Sequence, residues 1–114
     1  MAKVEIALSL LKEIEKRFKG EAHKIADLLE TLEKNPRKGK LIDQIEGIII
    51  KEIKYKSFRF YFITDGFKLK FLNLEELSDL LIKFIRMSDK KSQQKVINEI
   101  KSVLMKLGED GFRS

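Results

Sequence analysis

Phe58-Arg59-Phe60-Tyr61-Phe62-Ile63, then Thr64-Asp65-Gly66, then Phe67-Lys68-Leu69-Lys70-Phe71: this stretch decides how the chain is read. Apolar and polar residues alternate with a period of two, which sends successive side chains of a strand to opposite faces. One face would carry Phe58, Phe60 and Phe62 with Phe67, Leu69 and Phe71, and needs a covering layer. The other would carry Arg59, Tyr61, Lys68 and Lys70, a basic surface and the first candidate site. Asp65-Gly66 suits a hairpin turn, because glycine tolerates positive φ. Just upstream, Ile48 to Lys56 is isoleucine-rich like a strand interior, with Ile53 and Tyr55 opposing Glu52, Lys54 and Lys56. Three antiparallel strands follow from this reading.

The period changes on either side. Leu74, Leu77, Leu80, Leu81, Phe84 and Ile85 fit a helix, with Asn73 as N-cap and Glu76 three residues on completing a capping box. The competing reading makes 80–87 a fourth strand. A last helix, capped by Ser88 or Ser92, carries Val96, Ile97, Ile100, Val103, Leu104 and Leu107, and Gly108 is placed to stop it. Toward the start, Val4, Ala7, Leu8, Leu11, Ile14 and Phe18 predict a helix over 3–19. Ala22, Ile25, Leu28, Leu29 and Leu32 predict a second over 21–34, closed by Asn35-Pro36. The short link at Gly20 makes the two a helical hairpin. A basic loop over 35–47 holds Arg37, Lys38 and Lys40, with a short amphipathic turn at Leu41–Ile45. The expected fold is α+β, one domain over 1–114: an N-terminal helical hairpin, a three-stranded antiparallel sheet and two C-terminal helices, all packed on the Phe face.

A 114-residue chain that is 43% hydrophobic and 37% charged can bury a real core. No apolar run approaches the roughly 18 residues that span a bilayer, and the start lacks a signal-peptide pattern, so no membrane and a cytoplasmic location are expected. Zero cysteines exclude disulfides and thiolate metal sites, and a single histidine, His23, excludes a multi-histidine metal cluster. No cofactor and no metal are expected. The net charge of +6 points to an acidic partner. Most of it is local: residues 37–70 contain nine Lys and Arg against four acids.

The hairpin, the basic loop, and Lys40-Leu41-Ile42-Asp43-Gln44-Ile45-Glu46-Gly47 leading into Ile50-Lys51-Glu52-Ile53 resemble the RelE/ParE superfamily, toxins of type II toxin–antitoxin modules, in its phage-derived HigB-like branch. Glu52-Ile53-Lys54 stands where that branch has Glu-Leu-Arg. Phe58-Arg59 with Tyr61-Phe62 is similar to its Tyr-Arg strand, and Lys90-Lys91-Ser92-Gln93 to the run that opens its last helix. The resemblance implies a RelE-like fold, a metal-independent endoribonuclease acting on RNA, including ribosome-associated mRNA, and a cognate antitoxin protein as partner. In such enzymes the ribose 2′-OH attacks the adjacent phosphate, and cationic groups stabilise the phosphorane.

On that basis Arg59 is the phosphate clamp, Tyr61 stacks on a base or donates a proton, and Lys54 adds charge or acts as base. Arg37, Lys38, Lys40, Lys68, Lys70, Lys90 and Lys91 would bind nucleic acid. Arg59→Ala should then abolish cleavage and leave stability nearly unchanged. Blander readings stand beside these: Tyr61 as a cross-strand partner, Lys68 and Lys70 as edge-strand charges. No Tyr or His follows Tyr61, which keeps open a non-catalytic protein that binds nucleic acid or a partner with a toxin-derived fold. A gyrase-directed activity and a homodimer formed through 74–107 are further expectations.

Overall fold

The computed structural model describes residues 1–113, with side chains described through residue 107. Its centre is the expected pair of strands. β3 (Ile48–Tyr55) and β4 (Phe58–Asp65) run antiparallel in unbroken register from Ile48 opposite Asp65 to Tyr55 opposite Phe58. The two residues between them, Lys56-Ser57, turn through a positive φ of 54° at Lys56.

The sheet around that pair is larger than expected. Lys40–Ile45 is a strand, β2, and not a turn, joined to β3 through Glu46-Gly47 with φ of 47° and 87°. Both central residues at positive φ match the twist of a tight hairpin. Leu81–Ser88 is the strand β5, as in the competing reading, and Lys3–Ile6 is the strand β1. The order is β1-β5-β4-β3-β2, with β1 parallel to β5 and all other pairs antiparallel. The fold is therefore α+β with a five-stranded mixed sheet, in place of three antiparallel strands.

Two helices expected to open the chain instead follow β1: α1 (Leu8–Arg17) and α2 (Ala22–Glu30), the latter extended by a 3-10 turn over Thr31–Glu33. Lys3-Val4-Glu5-Ile6 alternates exposed and half-buried residues, a strand's pattern. The spacing of Val4, Ala7 and Leu8 imitated a helix, but Leu8 is 66% exposed and the buried positions of α1 are Leu10 and Ile14.

The run 67–71 is a helix as well. Asp65 accepts a hydrogen bond from the Lys68 N–H at 3.1 Å, so Asp65-Gly66 caps α3 (Gly66–Phe71) and forms no hairpin turn. Only Leu69 of that helix is buried, while Phe67 and Phe71 stay exposed with ring centroids 4.8 Å apart. The capping box does form: Asn73 N–H donates to Glu76 and Glu76 N–H to Asn73. It caps no more than the 3-10 turn Glu76–Asp79 before β5 begins. A bulge in β5, between Arg86 opposite Tyr61 and Phe84 opposite Phe62, breaks the alternation and puts Ile82, Phe84 and Met87 in one core. That irregular spacing made the segment look helical.

Helices cover both faces, a second departure from expectation. α1 and α2 bury Leu10, Ile14, Ile25, Leu29 and Leu32 against Phe60, Phe62, Ile82 and Phe84. On the opposite face α4 (Gln93–Arg113) buries Val96, Ile97, Ile100 and Leu104 against Ile48, Ile50, Tyr61 and Ile63. α4 continues through Gly108, which does not end it as the sequence predicts, and the backbone is helical to Arg113. Among the described residues no helix is long and apolar enough to cross a membrane. Of the stripe expected to form a homodimer, Leu77, Leu80, Val96, Ile97, Ile100 and Leu104 are used inside the chain.

Candidate nucleic-acid interface

Strand register sets which charged side chains meet. On the α4 face one row across the sheet reads Lys40, Glu52, Tyr61, Arg86, and the next reads Lys54, Arg59, Ser88. Neighbouring strands are about 4.8 Å apart, so the second row spans roughly 10 Å. Lys90 and Lys91, both exposed, follow two and three residues after Ser88. Lys54, Arg59, Lys40 and the approach to α4 thus share one end of the sheet.

The two leading candidates are not free there. Tyr61 is fully buried, and its hydroxyl shares a 2.7 Å hydrogen bond with Ser88 Oγ. Burial pushes its pKa up; the Glu52 charge adds to this, while Ser88 and Arg59 oppose it. Arg59 faces Glu52 diagonally, Nε to Oε2 at 3.4 Å, with side chains 12% and 2% exposed. Neither Glu52 carboxylate oxygen nor Arg59 Nε has a well-directed hydrogen bond. The basic face read from the sequence is consequently a covered one, and Arg59 is half of a buried ion pair.

α4 is the cover. Arg86 pairs with Glu99 at 3.0 Å and Lys101 with Asp43 at 2.8 Å, fastening the helix to β5 and β2. Lys101, as hydrogen-bond donor, also holds the Asp43 carboxyl below its usual range. Partly exposed pairs of this kind contribute little to stability. Four buried apolar side chains, at about 1.5–3 kcal/mol each, dominate the attachment. At the start of α4, Ser92 holds the N-cap position and its carbonyl accepts from the Val96 N–H. Its own N–H and hydroxyl both donate to Asp89. Those two bonds depress the Asp89 pKa.

The lysines are the accessible part. Lys38, Lys40 and Lys54 line one concavity of about 300 Å³ at the end of the sheet, together with Leu28, Gly39 and the strand residues Glu52 and Ile53. β2 pairs with β3 only as far as Lys40 opposite Glu52, so Ile53–Tyr55 lie beyond it. Gly39 makes the bend possible: its φ is +106°, and a Cβ would lie 3.0 Å from the Phe62 ring. Arg37 is exposed and donates from Nη2 to the Leu72 carbonyl. Lys68 and Lys70 sit on α3 and not on a strand, away from Arg59. Among the described residues no group of three or more His, Asp or Glu could hold a metal ion.

The sequence did not reveal Glu52 as Arg59's partner or Ser88 as Tyr61's, and it gave Lys51 no role at a site. Two charges, Lys51-Glu52, inside an isoleucine run were the available signal, because a buried charge needs a reason. The chain matches no protein-family model, no curated protein and no solved structure.

Proposed function

We propose that this chain binds RNA at the basic end of the sheet, as a protein derived from a RelE/ParE-like toxin whose protein partner is an acidic antitoxin segment. The observation that carries the reading is the convergence of Lys38, Lys40 and Lys54 on one concavity, with Lys90 and Lys91 beyond the next strands. Glu52 borders that concavity, but its charge is matched by Arg59. Each phosphate neutralised releases counterions, so binding falls with salt. Lys38, Lys40 and Lys54 together changed to alanine should weaken single-stranded RNA binding and lower the slope of log K against log salt by about 2. No binding at low salt, or an unchanged slope in the triple variant, would remove this proposal.

A second reading, RNA cleavage, is favoured by the unsatisfied atoms of the Glu52–Arg59 pair beside the Tyr61–Ser88 hydrogen bond. If α4 withdraws, Arg59 can turn its guanidinium from Glu52 to a phosphate. The 2′-oxygen then attacks phosphorus, the 5′-oxygen leaves, and Tyr61 or Lys54 moves the proton. Incubating RNA with the protein in EDTA tests it: this reading requires product, and intact RNA leaves binding alone.

A further inference from the structure

Lys51 lies on the face opposite Arg59, between Ile49 and Ile53 and across from Phe62. It is 6% exposed, and its Nζ donates a 2.8 Å hydrogen bond to the Arg37 carbonyl. An ammonium has three N–H donors, yet among the described residues no carboxylate forms an ion pair with this one. Burying such a charge without a counter-charge is costly. Burial accordingly pushes its pKa down.

The ammonium borders a cavity of about 430 Å³ between the basic loop, β2, β3 and α3. Two more cations line it, Arg37 from the loop and Lys70 from α3, while Leu41, Ile49 and Leu69 supply apolar walls. No acid lines it. Three positive groups from three separate segments border it, Arg37 also donating to the Leu72 carbonyl and Lys70 lying over the Phe71 ring, and an anion in the cavity would relieve their mutual repulsion. The volume lies in the range of small-ligand pockets, which combine apolar walls with a few convergent polar groups. A dianionic oxyanion suits two ammoniums and a guanidinium, whose planar fork takes two oxygens.

We propose that this cavity binds a phosphomonoester, its phosphate held by Lys51, Lys70 and Arg37 and its body lying against Leu41, Ile49 and Leu69. The phosphate would arrive on a small molecule of nucleotide size or as the 5′-phosphate end of an RNA. The site is on the other face of the sheet from Arg59 and does not depend on the RNA-binding reading.

Titration of the full chain, labelled with nitrogen-15, tests it with inorganic phosphate, adenosine monophosphate, and two RNA oligomers differing only in a 5′-phosphate or 5′-hydroxyl. Saturable shifts at the amides of Lys51, Gly66 and Lys70 are expected, with the nucleotide binding more tightly than inorganic phosphate. Lys51→Met should weaken nucleotide binding roughly tenfold or more, the loss of a charge-assisted hydrogen bond. Lys70→Ala, at an exposed helix position, weakens it less and guards against a folding artefact in the first variant. Tighter binding of the 5′-phosphate RNA, lost in Lys51→Met, assigns an RNA end. Equal binding of the two RNAs beside saturable nucleotide binding assigns a small phosphomonoester. Unsaturable shifts spread over all the lysines, or nucleotide affinity unchanged in both variants, overturn the proposal.

Discussion

Arg59 and Lys51 stand on adjacent strands, and the sheet hides both cations, one on each face. Arg59 is paired with Glu52, under α4. Lys51 has a backbone carbonyl for company and is pushed toward its neutral form. The difference is one of readiness. A cation already matched by a carboxylate must exchange partners before it can serve a phosphate, and here a helix must also move. An unmatched one gains from the first anion that reaches it.

Breaking the matched pair gives the largest effect. Arg59→Ala leaves the Glu52 carboxylate buried and alone, which should cost about 3–5 kcal/mol in urea unfolding. The buried pair thus predicts the opposite of the sequence reading, in which the substitution spares stability. Replacing both partners by apolar residues, Arg59→Met with Glu52→Leu, should recover most of the loss. A single variant as stable as the parent would show that Glu52 does not depend on Arg59. Next in size is Tyr61→Phe, which removes the hydroxyl bonded to Ser88 and should cost about 1 kcal/mol by the same measurement.

Lys51→Met gives the smallest effect and is read as a slope. The folded pKa of Lys51 lies below its ordinary 10.5. Between those two values the unfolded chain binds the extra proton, so this residue makes stability rise with pH there, and below that window its burial opposes folding in full. The variant should lack that rise. The buried or hydrogen-bonded phenols of Tyr61 and Tyr55, both shifted up, push the other way at alkaline pH in parent and variant alike and cancel in the difference. Identical stability–pH curves would mean that Lys51 is not desolvated, and the comparison with Arg59 would lose its basis.

The sequence was most legible where pairing is local. β3 and β4 are joined by two residues, and their period-two pattern needs no distant partner to be read. Lys38, Lys40 and Lys54 were also visible as a basic concentration, although only the fold brings them to one concavity. Legibility failed where tertiary context chose between equal local options. Phe67 to Phe71 alternates like a strand, but Asp65 caps it into a helix and β5 takes the place beside β4. Asn73 and Glu76 form the capping box and still start no more than a 3-10 turn. The covering of Arg59 and Tyr61 was hidden for a similar reason: an amphipathic helix shows that it has an apolar stripe, not which face of a sheet it will take.

β1 pairs with β5 in parallel, Lys3 opposite Leu81, across 78 positions of chain. On the ribosome, synthesis at about 5–20 residues per second separates the emergence of these two partners by roughly 4–16 s. Throughout that interval Val4 and Ile6 have no strand to join, and the helix-like spacing that runs from Val4 through Leu11 has no competitor. The nascent segment can therefore coil as a continuation of α1 and must unwind its first turn when β5 appears. Closing this edge of the sheet is therefore timed by translation, since it waits on β5, while the docking of α4 waits longer still.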